Sequence, residues 1–104
     1  MEFIETPIFT KLLSGLLPDQ QYRELQATLL FRPDAGAVIK GGGGLRKIRW
    51  APVGSGKRGG LRVIYYHDEP DRIYMLFAYR KNQQENLTPE QLKVLKMLVK
   101  EYLK

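Results

Sequence analysis

"LRVIYYHDEPDRIYMLFAY", Leu61 to Tyr79, is the stretch on which the fold turns. Leu61 to Tyr66 is dense in branched and aromatic residues and reads as a strand. Asp68 to Asp71, "DEPD", is a turn containing proline. Arg72 to Tyr79, "RIYMLFAY", is apolar on both faces, which predicts a central strand covered on both sides. Two strands joined by so short a turn pair antiparallel.

Working outward, Leu45 to Ala51 reads as a third strand, separated from Leu61 by a glycine-rich turn over Gly54 to Gly60. Asp34 to Gly44, ending in four glycines, reads as a loop. At the start, Glu2 to Glu5 alternates as a short strand, and Thr6-Pro7 gives a cap and a first helical residue. Ile8, Phe9, Leu12, Leu13 and Leu16 then fall at helical spacing. Asp19 is the expected cap of a second helix, Gln20 to Phe31, with Tyr22, Leu25 and Leu29 on its stripe and Arg32-Pro33-Asp34 ending it. At the other end, Thr88-Pro89-Glu90-Gln91 supplies a cap, a proline at the first position and a capping-box glutamine. Leu92, Leu95, Val99 and Leu103 form the apolar stripe of that last helix. Lys93, Lys96 and Lys100 lie mostly opposite, toward the negative end of its dipole, as a solvated face or a contact for RNA or lipid. The fold class is α+β: one domain over residues 1–104, an antiparallel meander with two N-terminal helices and a C-terminal helix packed on the sheet. The helices are expected on one sheet face, leaving the other open for function.

Composition narrows the function classes. Hydrophobic residues at 43% and aromatics at 11% suit a packed core and not a disordered chain. There is no cysteine and one histidine, His67. Disulfides, thiol nucleophiles and iron–sulfur clusters are excluded, and no metal site or cofactor is expected. The opening "MEFIETPIF" lacks a signal peptide's apolar core, and no run is long enough to cross a bilayer. A soluble, intracellular protein is expected. The net charge is +6, and from Ala35 to His67 there is no acid but seven cations: Lys40, Arg46, Lys47, Arg49, Lys57, Arg58 and Arg62. A patch so placed attracts polyanions; its plain alternative is a solvated basic surface.

"GSGKRGG", Gly54 to Gly60, invites comparison with a nucleotide phosphate loop, G-x-x-x-x-G-K-[ST]. The first glycine of that pattern falls on Ala51, the hydroxyl position falls on Arg58, and a strand follows where a helix is needed. The nucleotide reading fails. A hairpin tip carrying Lys57 and Arg58 remains. The strand before it is more informative. Arg46, Ile48 and Trp50 share one face, marked as core by its apolar pair, so Lys47 and Arg49 point out together, about 7 Å apart at a rise of about 3.3 Å per residue. Arg62 is placed to join them from the next strand. Cations gathered on one sheet face repel unless an anion sits among them.

These residues also carry a resemblance. "GLRKIRWAPVGSGKRGGLRVIYYH", Gly44 to His67, resembles the signature of RelE/HigB-type toxins of bacterial toxin–antitoxin pairs. "FAYRKNQQENLTPEQ", Phe77 to Gln91, resembles the following segment of the HigB-like branch. The resemblance implies a small bacterial ribonuclease in the cytoplasm that cuts messenger RNA on the ribosome. It also implies a cognate antitoxin, HigA-like with a DNA-binding helix-turn-helix, that holds the toxin inactive. Carried onto this chain, Lys47 and Arg49 match the two basic strand residues of the RelE branch, and Arg62 matches the arginine of its next strand. Lys81 or Asn82 falls where that branch has a basic pair after the last strand. The family tyrosine near the final helix has no match, since Thr88 stands there.

For RNA cleaved by its own 2′-OH, Arg49 and Arg62 suit the phosphorane through forked donors of permanent charge. Lys47, with cations around it, is the candidate to take the 2′ proton, because like charges favour loss of a proton. Lys57, Lys81 and the arginines are candidates to protonate the leaving 5′ oxygen. Tyr66 and Tyr79 are candidates to stack a splayed base, with a core role as the alternative. Arg46, Lys57, Arg58, Arg80 and Asn82 complete the expected RNA contacts. His67, beside Asp68 at a turn, reads as solvated. Competing functions are a ParE-like gyrase poison of the same architecture, an RNA-binding module without chemistry, and an inert toxin relic. The antitoxin is expected to meet the sheet edge or the basic groove with acidic or apolar groups, and not to sit wholly on the outer face of the last helix.

Overall fold

The hairpin of the opening stretch is the centre of the sheet. The computed structural model describes residues 1–51 and 60–103. In it β4 (Leu61–Asp68) pairs antiparallel with β5 (Arg72–Arg80), from Leu61 opposite Arg80 to Asp68 opposite Arg72. Both strands run further than their composition suggests, β4 through His67 and Asp68 and β5 through Arg80. The register shifts between Ile64, opposite Phe77, and Tyr65, opposite Met75, so Leu76 is the extra residue of a bulge. β3 (Arg46–Trp50) pairs antiparallel with β4 and completes the expected meander.

Two strands extend it. β1 (Glu2–Glu5) lies parallel on β5, and β2 (Ala37–Val38) lies antiparallel on β3, giving the order β1-β5-β4-β3-β2. The sheet is therefore mixed. β2 falls in the expected loop; it is too short to leave a periodic signal.

The three helices divide between the two faces, which corrects the expectation of one open face. α1 (Pro7–Leu16) and α2 (Asp19–Phe31) cover one, where Phe9, Tyr22, Leu25 and Leu29 pack with Ile48, Val63, Tyr65, Ile73 and Met75. α3 (Pro89–Tyr102) covers the other, where Leu95 and Val99 pack with Leu45, Ile64, Tyr74, Leu76 and Tyr79. The physical reason lies in β5, whose two apolar faces each need a cover.

Local signals explain the helix ends. The Thr6 hydroxyl accepts the Phe9 N–H at 3.0 Å and donates to the Leu76 carbonyl at 3.0 Å, so it starts α1 and ties it to β5. Thr88 and Gln91 form the reciprocal capping box of α3. α2 differs: Pro18 holds the cap position without a side-chain bond, and Asp19 is the first helical residue. Its carboxylate there meets the positive end of the dipole. Tyr65 fixes the approach to β2, its hydroxyl accepting the Gly36 N–H at 2.8 Å and donating to the Pro33 carbonyl at 2.7 Å. A Cβ on Gly36 would lie 2.8 Å from the Tyr65 ring and 3.0 Å from the Lys47 carbonyl, so glycine is required there.

Burial also sets an alkaline limit. Desolvation raises the phenols of Tyr22, Tyr65 and Tyr79 above their ordinary value of 10.0. At Tyr22 the hydrogen bond donated to Glu5, 2.8 Å long, adds to the effect. The folded chain keeps protons that the unfolded chain releases, so stability is complete below the unfolded pKa and falls as pH rises through it. Urea denaturation between about pH 8 and about pH 11 is expected to show this loss, and Tyr22→Phe is expected to flatten it. An identical slope in the variant contradicts the assignment to Tyr22.

Candidate active site

Alternation along β3 puts Lys47 and Arg49 on the α3 face, opposite to Ile48 and Trp50. Arg49 stands directly across from Arg62 on β4, and Arg62 directly across from Tyr79 on β5. The three form one row across adjacent strands about 4.8 Å apart. Lys47, opposite Ile64, lies beside the row, half-buried, while Arg49 is exposed.

Arg62 is the unusual member, at 8% exposed. Among the described residues its one side-chain hydrogen bond goes to the neighbouring Leu61 carbonyl, at 3.4 Å. The one ion pair among them, Arg72 with Glu2 at 3.8 Å, lies at the other end of β5. A buried guanidinium with no carboxylate among the described residues, and with a second arginine directly opposite on the next strand, is unfavourable on both counts. A phosphate entering the row reverses both terms.

Tyr79 belongs to this row, but not as a stacking platform. It is 4% exposed, its ring centroid is 6.0 Å from that of Phe77, and its hydroxyl is buried without a partner among the described residues. Burial raises its pKa while the Arg62 charge opposes the rise, so it is a neutral hydroxyl donor at physiological pH. Tyr66 is half-buried on the same face, diagonal to Lys47 and about 13 Å along β4 from Arg62. Its ring lies against Gly44, which has φ +100 and where a Cβ would stand 2.8 Å from Tyr66 Cε2.

The turn after β5 closes on the same end of the sheet. The Lys81 N–H donates to the Gly60 carbonyl at 3.1 Å, and the Lys81 side chain is exposed. Lys47 Nζ donates to Asn86 Oδ1 at 3.4 Å. The Gln84 side-chain amide donates to the Asn86 carbonyl and to Gln91 Oε1, each at 2.9 Å. The capping-box glutamine of α3 thus anchors the loop that meets Lys47. Sequence reasoning missed Asn86 and its anchor Gln84, because the nearness of Asn86 to Lys47 comes from this folding back and no local pattern marks it.

Other expected contacts lie elsewhere. Arg46 turns to the opposite face, Nη1 donating to the Gly36 carbonyl at 2.8 Å and, longer, to that of Asp34 at 3.4 Å, as its alternation with Ile48 and Trp50 implies. Arg80 Nη2 donates to the Gly15 carbonyl at the end of α1, at 3.1 Å. Asn82 is exposed in the turn. Lys57 and Arg58 lie outside the described residues. His67 pairs with Ile73 on the α1–α2 face, about 17 Å along β4 from Arg62. The residue is half-buried and its Nε2 is buried without a partner among the described residues, so the expectation of a solvated imidazole is corrected for that nitrogen: β4 carries it into the sheet.

The arrangement gathers Lys47, Arg49, Arg62, the Tyr79 hydroxyl and Lys81 at one end of the sheet, all donors. A family model described as the RelE toxin of the RelE/RelB toxin–antitoxin system matches residues 34–104, which contain all five.

Proposed function

The chain belongs to the RelE toxin family, and from that premise we propose that it is a ribosome-dependent endoribonuclease that cuts messenger RNA and stops translation. Membership makes it the toxin of a toxin–antitoxin pair with a cognate antitoxin. We assign it to the HigB-like branch on "FAYRKNQQENLTPEQ", as one domain over residues 1–104 that needs no cofactor, acts in the bacterial cytoplasm and is held by a HigA-like helix-turn-helix antitoxin.

The observation that supports the chemistry is the buried Arg62, without a carboxylate partner among the described residues and opposite Arg49. The 2′ oxygen of one nucleotide attacks its own 3′ phosphorus and the P–O5′ bond breaks. The upstream fragment ends in a 2′,3′-cyclic phosphate and the downstream fragment begins with a 5′-OH. Arg62 and Arg49 hold the charge that grows on the non-bridging oxygens, where fixed donors act most strongly. Lys47, held in place by Asn86, takes the 2′ proton. Lys81, on the other side of the row, gives a proton to the 5′ oxygen.

The test is a defined message on purified translating ribosomes, read by primer extension. The chain is expected to cut the ribosome-bound message within the coding region and to leave naked message intact, with Lys47→Ala losing about a hundredfold or more in rate. Intact message, with DNA gyrase trapped on cleaved DNA instead, overturns the reading in favour of a gyrase poison.

A further inference from the structure

Beside the cationic row lies a surface of different chemistry. An apolar groove of about 480 Å³ opens between the first turn of α1 and α3, lined by Ile8, Phe77, Val94, Leu95 and Leu98, with Glu90 among its polar residues. Two of its walls are unusually bare: Ile8 is 49% and Val94 56% exposed, and Met97, next along α3 and 58% exposed, continues the strip. On the far side of Met97, Lys93, Lys96 and Lys100 line a second depression with Pro89 and Leu92. α3 therefore carries a hydrocarbon strip and, parallel to it, a row of three cations.

We propose that the groove and this lysine row form one docking surface for the cognate antitoxin. The antitoxin lays an amphipathic segment there, with apolar side chains in the groove and carboxylates over Lys93, Lys96 and Lys100. The proposal rests on the chain being the toxin of a pair. Charge complementarity selects the occupant. RNA has no apolar side chains to fill the groove, and Glu90 in its lining repels phosphate. A second copy that packs α3 against α3 offers little to the lysines, since the acids of its α3 are only Glu90 and Glu101, at opposite ends of the helix. Helix-in-groove recognition of this kind reads apolar anchors at helical spacing. The surface uses α1 and β5 as well as α3, so it is not the outer face of α3 alone. It includes none of Lys47, Arg49, Arg62 or Lys81, so binding and cleavage are separable by substitution.

The experiment pairs calorimetric titration of the purified toxin with its purified cognate antitoxin and a growth assay. Val94→Glu and Ile8→Glu change exposed side chains; melts followed by circular dichroism confirm their folding. Both are expected to arrest growth when expressed alone, to bind the antitoxin at least about thirtyfold more weakly, and to escape its rescue. Lys96→Glu is expected to weaken binding and reduce its dependence on salt. Phe31→Glu, at a residue 86% exposed on the end of α2, is expected to bind like the parent. Folded Val94→Glu and Ile8→Glu proteins that bind and are rescued like the parent overturn the proposal. So does loss of toxin self-association in these variants with antitoxin affinity unchanged, which assigns the groove to a second copy. A parent chain that fails to arrest growth contradicts the toxin reading instead, while the calorimetry still reads the groove.

Discussion

Arg62→Met abolishes growth inhibition and lowers message cleavage by about a hundredfold or more while leaving the protein folded; this is the largest functional effect expected. The magnitude is that of losing one fixed donor to a developing oxyanion, about 3 kcal/mol. Methionine is chosen because the site is only 8% exposed. Truncation to alanine would mix the loss of charge with a cavity, whereas methionine keeps much of the volume of the stem. Removing the charge also relieves the repulsion from Arg49 directly opposite. The melting temperature is therefore expected to stay level or to rise. Arg62→Lys keeps the charge without the fork and is expected to recover only part of the rate. A folded Arg62→Met protein that cuts and kills like the parent contradicts the role assigned to this arginine.

The largest effect on stability is expected at Phe9. Phe9→Ala costs about 3–5 kcal/mol, a sizeable part of the roughly 5–15 kcal/mol that holds a domain together. Phe9 is 1% exposed, in the cluster where α1 and α2 meet the sheet, and its ring centroid lies 5.9 Å from that of Tyr22. Its backbone N–H is also the one capped by Thr6. The cavity would thus open where the first helix, the second helix and the central strand are joined. Phe31→Ala is the control: same chemistry, 86% exposed, expected within about 0.5 kcal/mol of the parent. Urea denaturation separates the two, and a Phe9→Ala cost under about 1 kcal/mol would show that this cluster does not hold the helices down.

The parts of this fold that could be read from the chain are those whose causes are local. "LRVIYYHDEPDRIYMLFAY" marks both strands and their turn, and Thr88 with Gln91 marks the start of α3 to the residue. What escaped was set by distant partners. The parallel pairing of β1 with β5 depends on the path of the chain through two helices. β2 is held by β3 and by the Tyr65 hydroxyl, whose partners are about thirty residues away, and neither leaves a period. The placement of α3 was within reach: a strand apolar on both faces already requires two covers. The candidate site divides in the same way. Alternation along β3 put Lys47 and Arg49 together and Arg46 on the other face, as found. That Arg62 is nearly buried is marked by no local pattern, and Tyr79 wholly inside and Asn86 beside Lys47 depend on how α3 and its leading loop close over the sheet.

Ribosome-linked cleavage by the Arg62 row is read most directly by a map of messenger RNA 5′ ends in bacteria, minutes after inducing this chain, with Arg62→Met beside it. New ends carrying 5′-OH are expected at a fixed place within translated codons, and none in the variant. Growth arrest with messages intact would contradict ribosome-linked cleavage.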